Sequence, residues 1–350
     1  MQVLITDRRL SDPSIWDRLP DGDPYAAYPD RDPYREAVEA AGGELTHSRA
    51  ETESAFVEEC RDADVIVTFK APFPERVLAE IGETALLMRN GVGFDNIAVE
   101  AATEHGIPVS NVPGNCNDDV ASHALALMLA AAHELVEHDR ALAETGELNR
   151  RAINQPYGGT CGIVGLGRIG RSLVPKVRGL GMDVIAYDPY LDDDIFAELD
   201  VESVPFEELL ARSDAVSVHA PLTAETRHRF STDEFETMRE TAVLVNTARG
   251  PIVDEAALVE AVERGDIWSA GLDVFESEPP ADSPVLDTDG IVCTPHSAGV
   301  SPAAERRAIE IGSEEVLRVF RGEHPRHLVN PEVFQRSETL LNPEANRWGN

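Results

Sequence analysis

Short apolar runs recur along this chain at intervals that leave room for about one helix between them. Gln2-Val3-Leu4-Ile5-Thr6 opens the series, and Asp64 to Phe69 and Ala85 to Arg89 continue it. Between them lie helical stretches, from Tyr34 to Ala41, closed by Gly42-Gly43, and from Pro74 to Ile81. From Cys161 the alternation resumes, with strands at 161–164, 183–187, 214–218, 242–246, 269–273 and 291–294. Helices are expected between them at 168–180, 206–211, 232–238, 254–264 and 284–288. Strands taking turns with helices predict parallel α/β architecture. The longest helical pattern runs from Asp118 to Glu144, capped by Asn117 or Asp118, and is apolar enough to be buried as one helix linking two domains. Residues 302–321 read as a final helix that returns to the first domain. Residues 11–34, crowded with Asp, Pro and Tyr, read as a surface insertion, and 336–350 as a loose tail.

Composition narrows the class. A chain of 350 residues with 42% hydrophobic content can bury two cores. The charge is lopsided, 64 acidic against 30 basic residues, a formal net charge of -34. That field disfavours nucleic acid and anionic membranes, and it obliges any anionic substrate to find a local basic site. The acidity reads as a solvated surface suited to a high-salt cytoplasm; a cationic partner is the rival reading, and no compact acidic cluster supports it. Cys60, Cys116, Cys161 and Cys293 are scattered, which predicts free thiols in a reducing compartment and neither a disulfide framework nor a metal site. Met1 to Asp7 lacks the pattern of a signal peptide. The longest apolar stretch, Ala124 to Ala132, falls short of the roughly 20 residues that span a bilayer. A soluble, cytoplasmic protein is expected.

Four motifs carry candidate chemistry. Gly165-x-Gly167-x-x-Gly170 lies between an apolar strand and a helix, where the glycines permit a tight turn, close approach of a pyrophosphate and close helix packing. The strand that follows ends in Asp188, about 20 residues on, where a carboxylate can accept from ribose hydroxyls and repel a 2′-phosphate; NAD is therefore expected over NADP. Arg249 follows the run 243–246, and its planar fork suits a carboxylate or a polarised carbonyl. His296 ends the run 291–294 and can exchange a proton near neutrality; Glu278, just before Pro279-Pro280, would brace its imidazolium and raise its pKa. Asp273 at the end of its strand is expected at the nicotinamide or ribose, and Pro221 beside the adenine. His219 has two readings, cofactor loop or plain packing. Asn90-Gly91-Val92-Gly93 reads either as a turn that aims N–H groups at an anion or as an ordinary strand-to-helix turn. His123, His133 and His138 on the long helix read as surface or dimer-interface residues more readily than as ligands. Lys70 faces either a second anionic group or solvent.

Together these motifs resemble the NAD-dependent D-isomer 2-hydroxyacid dehydrogenases. The resemblance runs from the first strand to Pro331 and is strongest over 85–300, and the run Asn111 to Ala124 is most similar to the branch that includes C-terminal binding protein. It implies α/β architecture with two Rossmann-like doubly wound domains, the first discontinuous and completed by the C-terminal helix. The expected division is 1–104 with 300–335 for the substrate domain and 105–299 for the NAD-binding domain, leaving 336–350 as tail. It implies homodimers joined through the cofactor domain and the long helix. Residue by residue, Arg249, Glu278 and His296 match the catalytic set. Asn90, Gly91, Val92 and Gly93 match the loop that holds a substrate carboxylate, together with Arg249. Val92, Arg168, Ile169, Asp188, Pro221, Thr247, Ala248, Asp273, Ser297, Ala298 and Gly299 match NAD contacts, beside Gly165, Gly167 and Gly170 of the turn. Gly299 stands where the corepressor of this family has a tryptophan, and the chain lacks the long C-terminal regulatory domain of biosynthetic phosphoglycerate dehydrogenases. The implied reaction moves a hydride between NAD(H) and a 2-oxo/D-2-hydroxy acid pair; the rival is an NAD sensor with vestigial catalysis.

Overall fold

The computed structural model describes residues 1–6, 33–81, 84–148 and 152–335. Most of the expected insertion at 11–34 and the whole expected tail at 336–350 lie outside them. The chain divides into two compact units, Met1–Asn115 with Ser301 onward, and Cys116–Val300.

In the first unit the chain runs β1 (Gln2–Ile5), α1 (Pro33–Ala40), β2 (Glu44–His47), α2 (Glu53–Arg61), β3 (Val65–Thr68), α3 (Glu75–Leu78), β4 (Leu86–Arg89), α4 (Val99–Glu104) and β5 (Val109–Ser110). The strands form one parallel sheet in the order β2-β1-β3-β4-β5. Successive side chains alternate between its faces. Val3, Ile5, Val65, Val67, Leu86 and Met88 enter one core cluster, and Leu4, Ile66, Leu87 and Val109 the other. Burial on both faces explains why these strands read as unbroken apolar runs. Sequence reading passed over β2, α2, α4 and β5. They are short, and three of them carry too few apolar residues to stand out. β5 sets the end of this unit. Its pairing to β4 through Leu87↔Val109 and Met88↔Ser110 carries the first unit to Asn115, past the boundary expected at residue 104.

The second unit opens with α5 (Asn117–Ala132) and α6 (Leu135–Thr145). One continuous helix was expected here. The chain instead bends by 55° at His133–Glu134, where Glu134 takes a left-handed φ of 47°. The physical reason is a change of environment: α5 is buried against the sheet through Ala124, Leu127, Met128 and Ala131, whereas α6 has a polar, largely exposed face. The Rossmann elements follow: β6 (Thr160–Val164), α7 (Arg168–Arg178), β7 (Asp183–Tyr187), α8 (Asp193–Glu198), β8 (Glu202–Ser203), α9 (Phe206–Arg212), β9 (Ala215–Val218), α10 (Thr232–Thr237), β10 (Val243–Asn246), α11 (Glu255–Arg264), β11 (Ser269–Leu272) and β12 (Ile291–Cys293). The expected helix at 284–288 is a single 3-10 turn, Pro284–Asp287. All seven strands are parallel in the order β12-β11-β10-β9-β6-β7-β8. The order reverses at β6, and the carboxyl ends of β6 and β9 flank that switch point, where doubly wound sheets bind ligands. The chain ends its described part with α12 (Pro302–Phe320), which packs on α1 of the first unit's fold. Among the described residues no single helix is long and apolar enough to cross a membrane.

Candidate active site

The glycine turn after β6 meets each geometric demand of a dinucleotide site. Gly165 has φ of 92°, and a Cβ there would lie 2.7 Å from the Ala220 amide nitrogen. Gly170 lies against the turn itself, where a Cβ would come within 2.4 Å of the Gly165 carbonyl oxygen; that backbone-to-backbone contact packs α7 onto the strand. A Cβ on Gly167 would meet nothing within 4 Å, so the turn is open on that side. The first-turn amides of α7, from Arg168 and Ile169, have no preceding carbonyls to bond, and the helix dipole puts its positive end beside them. These residues fit a pyrophosphate.

Asp188 sits just past β7 and is tied to the same turn. Its Oδ2 accepts from the Leu166 amide at 2.9 Å, and Oδ1 accepts from the Tyr190 amide at 3.1 Å. Two N–H donors hold this carboxylate beside the turn, where a ribose acceptor must be. Two contacts unseen in the sequence reading order the neighbouring loops. The Tyr190 hydroxyl donates to Glu225 Oε2 at 2.6 Å, joining the loop after β7 to the loop after β9 that carries His219 and Pro221. Ser217 pairs with His219 Nε2 at 2.9 Å. Burial pushes the His219 imidazole down to about 4. Nδ1 of that ring is buried without a partner.

Arg249 follows β10 by way of a loop that Asn246 organises. The buried Asn246 side chain accepts from the Ala248 amide at 3.0 Å and donates to the Arg249 carbonyl at 2.9 Å. Gly250 then passes so close to Phe275 that a Cβ would overlap its carbonyl carbon. Thr247 is 8% exposed and its hydroxyl has no partner, a buried donor left over for a ligand. Sequence reading missed Asn246, although a polar residue closing the apolar run Val243-Leu244-Val245 was the available signal.

Glu278 and His296 meet. His296 Nδ1 lies 2.8 Å and 3.0 Å from the two carboxylate oxygens of Glu278. His296 has φ of 52°, in the left-handed region that few non-glycine residues occupy. Its amide donates to the Thr294 carbonyl at 3.0 Å. The chain ahead of Glu278 is tied to α11 by a reciprocal pair. The Glu276 amide donates to Glu255 Oε1 at 2.6 Å, and the Glu255 amide donates to Glu276 Oε1 at 2.9 Å. The Glu278–Pro279 peptide bond is cis.

Asp273, expected at the nicotinamide, is 1% exposed and uses both oxygens inside the protein. Oδ1 accepts from the Ser297 amide at 2.8 Å and from the Thr294 hydroxyl at 2.6 Å, and Oδ2 accepts from the Ala298 amide at 2.9 Å. In this structure it holds the loop behind His296. Gly299 lies against Cys116, where a Cβ would be 3.2 Å from its sulfur.

In the first unit, Asn90-Gly91-Val92-Gly93 follows β4. Neither glycine takes a left-handed φ, so the turn does not depend on one. The Asn90 amide donates to the Thr68 carbonyl at 2.7 Å and Asn111 Nδ2 to the Val92 carbonyl at 2.7 Å, while the Tyr34 hydroxyl donates to Asn90 Oδ1 at 3.1 Å. These bonds hold Asn90 and the Val92 carbonyl, and the Val92 and Gly93 amides have no intramolecular acceptor among the described residues. A cavity opens elsewhere. About 770 Å³ in volume and lined by Thr160, Arg178, Asp183, Glu202 and Arg212, it lies at the amino ends of β6 to β8, the wrong end of a parallel sheet for a cofactor. All four cysteines are free, and burial pushes the Cys60 and Cys161 thiols up to about 12.

A doubly wound sheet with a glycine turn, a tethered acid after its second strand and a carboxylate–imidazole pair from the loops after its last two strands fits an NAD-binding oxidoreductase domain. Residues 125–298 match the family model described as D-isomer specific 2-hydroxyacid dehydrogenase, NAD binding domain. The chain is 40% identical over 294 residues to a glyoxylate reductase of Korarchaeum cryptofilum, covering 81% of this chain and 88% of that protein. It belongs to the D-isomer specific 2-hydroxyacid dehydrogenases, whose cofactor is NAD. It is also 39% identical over 306 residues to a D-3-phosphoglycerate dehydrogenase of Methanocaldococcus jannaschii; the match covers 86% of this chain but 58% of that relative's length. Among solved structures, a glyoxylate reductase from Paecilomyes thermophila superposes with a TM-score of 0.81 at 28% identity, over 96% of this chain and 99% of that one.

Proposed function

We propose that this protein interconverts a 2-oxo acid and the matching D-2-hydroxy acid, with His296 as the proton donor and acceptor, Glu278 as its brace and Arg249 as the group that binds the carboxylate and polarises the carbonyl. The observation that carries the reading is the Glu278–His296 contact at 2.8 Å on a loop held in a strained backbone conformation. Glu278 occupies Nδ1, so the ring presents Nε2 for exchange with the substrate oxygen. In the direction of reduction the imidazolium gives its Nε2 proton to the carbonyl oxygen, and the carboxylate stabilises the cation until then. Bound NADH would supply the hydride, and Arg168, Ile169, Asp188 and Thr247 would hold it. Arg249 spreads positive charge toward the oxygen that becomes an alkoxide. The unbonded Val92 and Gly93 amides suit a carboxylate, as the expected substrate loop requires.

The test is turnover. Purified protein with NADH is screened against glyoxylate, hydroxypyruvate, pyruvate, phenylpyruvate and 3-phosphohydroxypyruvate. Oxidation of NADH by at least one is expected, and His296→Ala and Arg249→Ala each lower kcat by about two orders of magnitude or more. NAD binding without turnover across the panel would favour a sensor instead. The protein is further proposed to act as a homodimer. Leu135, Leu142, Leu148, Ile153 and Tyr157 are each more than half exposed in one stretch of the second unit, apolar side chains that a partner's surface would cover.

A further inference from the structure

The loop that carries His296 is gripped from behind by hydrogen bonds that begin on another element. His123 projects from α5, and its Nε2 lies 2.9 Å from Thr294 Oγ1. Thr294 Oγ1 lies 2.6 Å from Asp273 Oδ1, and Asp273 holds the amides of Ser297 and Ala298, the two residues after His296. The proton positions follow from valence. An ionised carboxylate only accepts, and a hydroxyl has a single proton to give. At 2.6 Å the Thr294 proton goes to Asp273, a charge-assisted bond. The Thr294 oxygen is then left to accept from the ring, so His123 carries a proton on Nε2. The chain therefore has one direction: His123 N–H to Thr294 oxygen, Thr294 O–H to Asp273, and Asp273 to the two loop amides.

We infer that His123 is a positioning residue for His296. It touches neither reacting atom and transfers no proton. Its N–H keeps the Thr294 hydroxyl turned toward Asp273, and Asp273 so oriented holds Ser297 and Ala298 and sets where the imidazole stands. Without that N–H the Thr294 hydroxyl keeps only its bond to Asp273, the two side chains gain freedom together, and the residue at φ of 52° shifts with them. This inference rests on the reading of His296 as the proton donor.

Two measurements separate it from that reading. In the resting protein, histidine 15N spectra at mildly alkaline pH are expected to show His123 as the Nε2–H tautomer, with Ser297 and Ala298 amides that exchange slowly. In His123→Ala those two amides exchange faster, at an unchanged rate elsewhere in the sheet. An Nδ1–H tautomer, or loop amides unaffected by the substitution, overturns the inference whether or not any substrate is found. With a substrate from the panel, His123→Ala and Thr294→Val each lower kcat about ten- to a hundredfold, with KM changed by less than about twofold. Because His123 acts through Thr294, the double variant falls no further than Thr294→Val alone. His123→Gln, which offers an amide N–H at similar reach, restores part of the loss. Additive losses, or a lowered thermal midpoint with kcat intact, overturn the inference. A wild-type protein inert across the whole panel refutes the catalytic reading of His296 and leaves the spectra to decide the loop.

Discussion

His219 shows how one half-buried side chain couples the fold to pH. Its imidazole is pushed down to about 4 by desolvation, against roughly 6.5 in an unfolded chain. The folded state therefore keeps it neutral while the unfolded state takes up a proton. Stability is whole above about pH 6.5 and is lost as the pH falls toward 4, where the loss reaches up to ~3 kcal/mol and levels off. Urea unfolding at pH 7 and pH 4.5 measures this. Wild type is expected to lose more stability over that interval than His219→Gln, and equal losses would show that His219 is solvated. The same scale explains which site residues were readable. Arg249, Glu278 and His296 stand out because their neighbours are apolar or small. His123 and Thr294 meet from positions 171 apart, and no local pattern marks them, whereas Asn246 is marked by the apolar run it closes.

At the scale of the element, the glycine turn separates two roles that the motif alone merges. Gly167→Ala adds a methyl into open space, so the fold tolerates it, but that space is where a phosphate must approach. Its thermal midpoint should stay within a degree or two, while NAD affinity falls at least tenfold by calorimetry. Gly170→Ala drives a Cβ to 2.4 Å from the Gly165 oxygen, which α7 can relieve only by moving off the sheet. It should lower the midpoint as well as the affinity. A Gly167→Ala protein that unfolds early would reverse these assignments. Strands buried on both faces were legible because a short apolar run between turn residues must hide both its sides, and a central parallel strand does so. The α5–α6 break was not, since the residues at the bend, His133 and Glu134, carry no glycine or proline. What stops the helix is the end of the surface it packs on.

Over the whole molecule, the net charge of -34 sets a repulsion that no single ion pair offsets. Its ion pairs are mostly exposed, such as Arg76–Glu53 and Arg212–Glu202, and contribute little each. Screening should therefore stabilise the fold. Raising KCl from about 0.1 M to 1 M, which shortens the Debye length from about 10 Å to 3 Å, is expected to raise the thermal midpoint by several degrees. A flat or falling midpoint would mean that the surface charge is already neutralised locally. Sedimentation should give a dimer, and Leu142→Glu, which puts a charge into the exposed apolar stretch, a monomer.

The amino-acid order carried the architecture, the cofactor turn and the three catalytic candidates, because each depends on local chemistry: an apolar run, a glycine spacing, a reactive group beside small residues. Folding was needed to bring Nδ1 of His296 within 2.8 Å of Glu278, to seat Asp273 under the amides of Ser297 and Ala298, and to place α5 where His123 reaches Thr294. Those contacts join segments from different strands and helices. Their energies come from burial and hydrogen-bond geometry, quantities that exist only once the sheet has assembled.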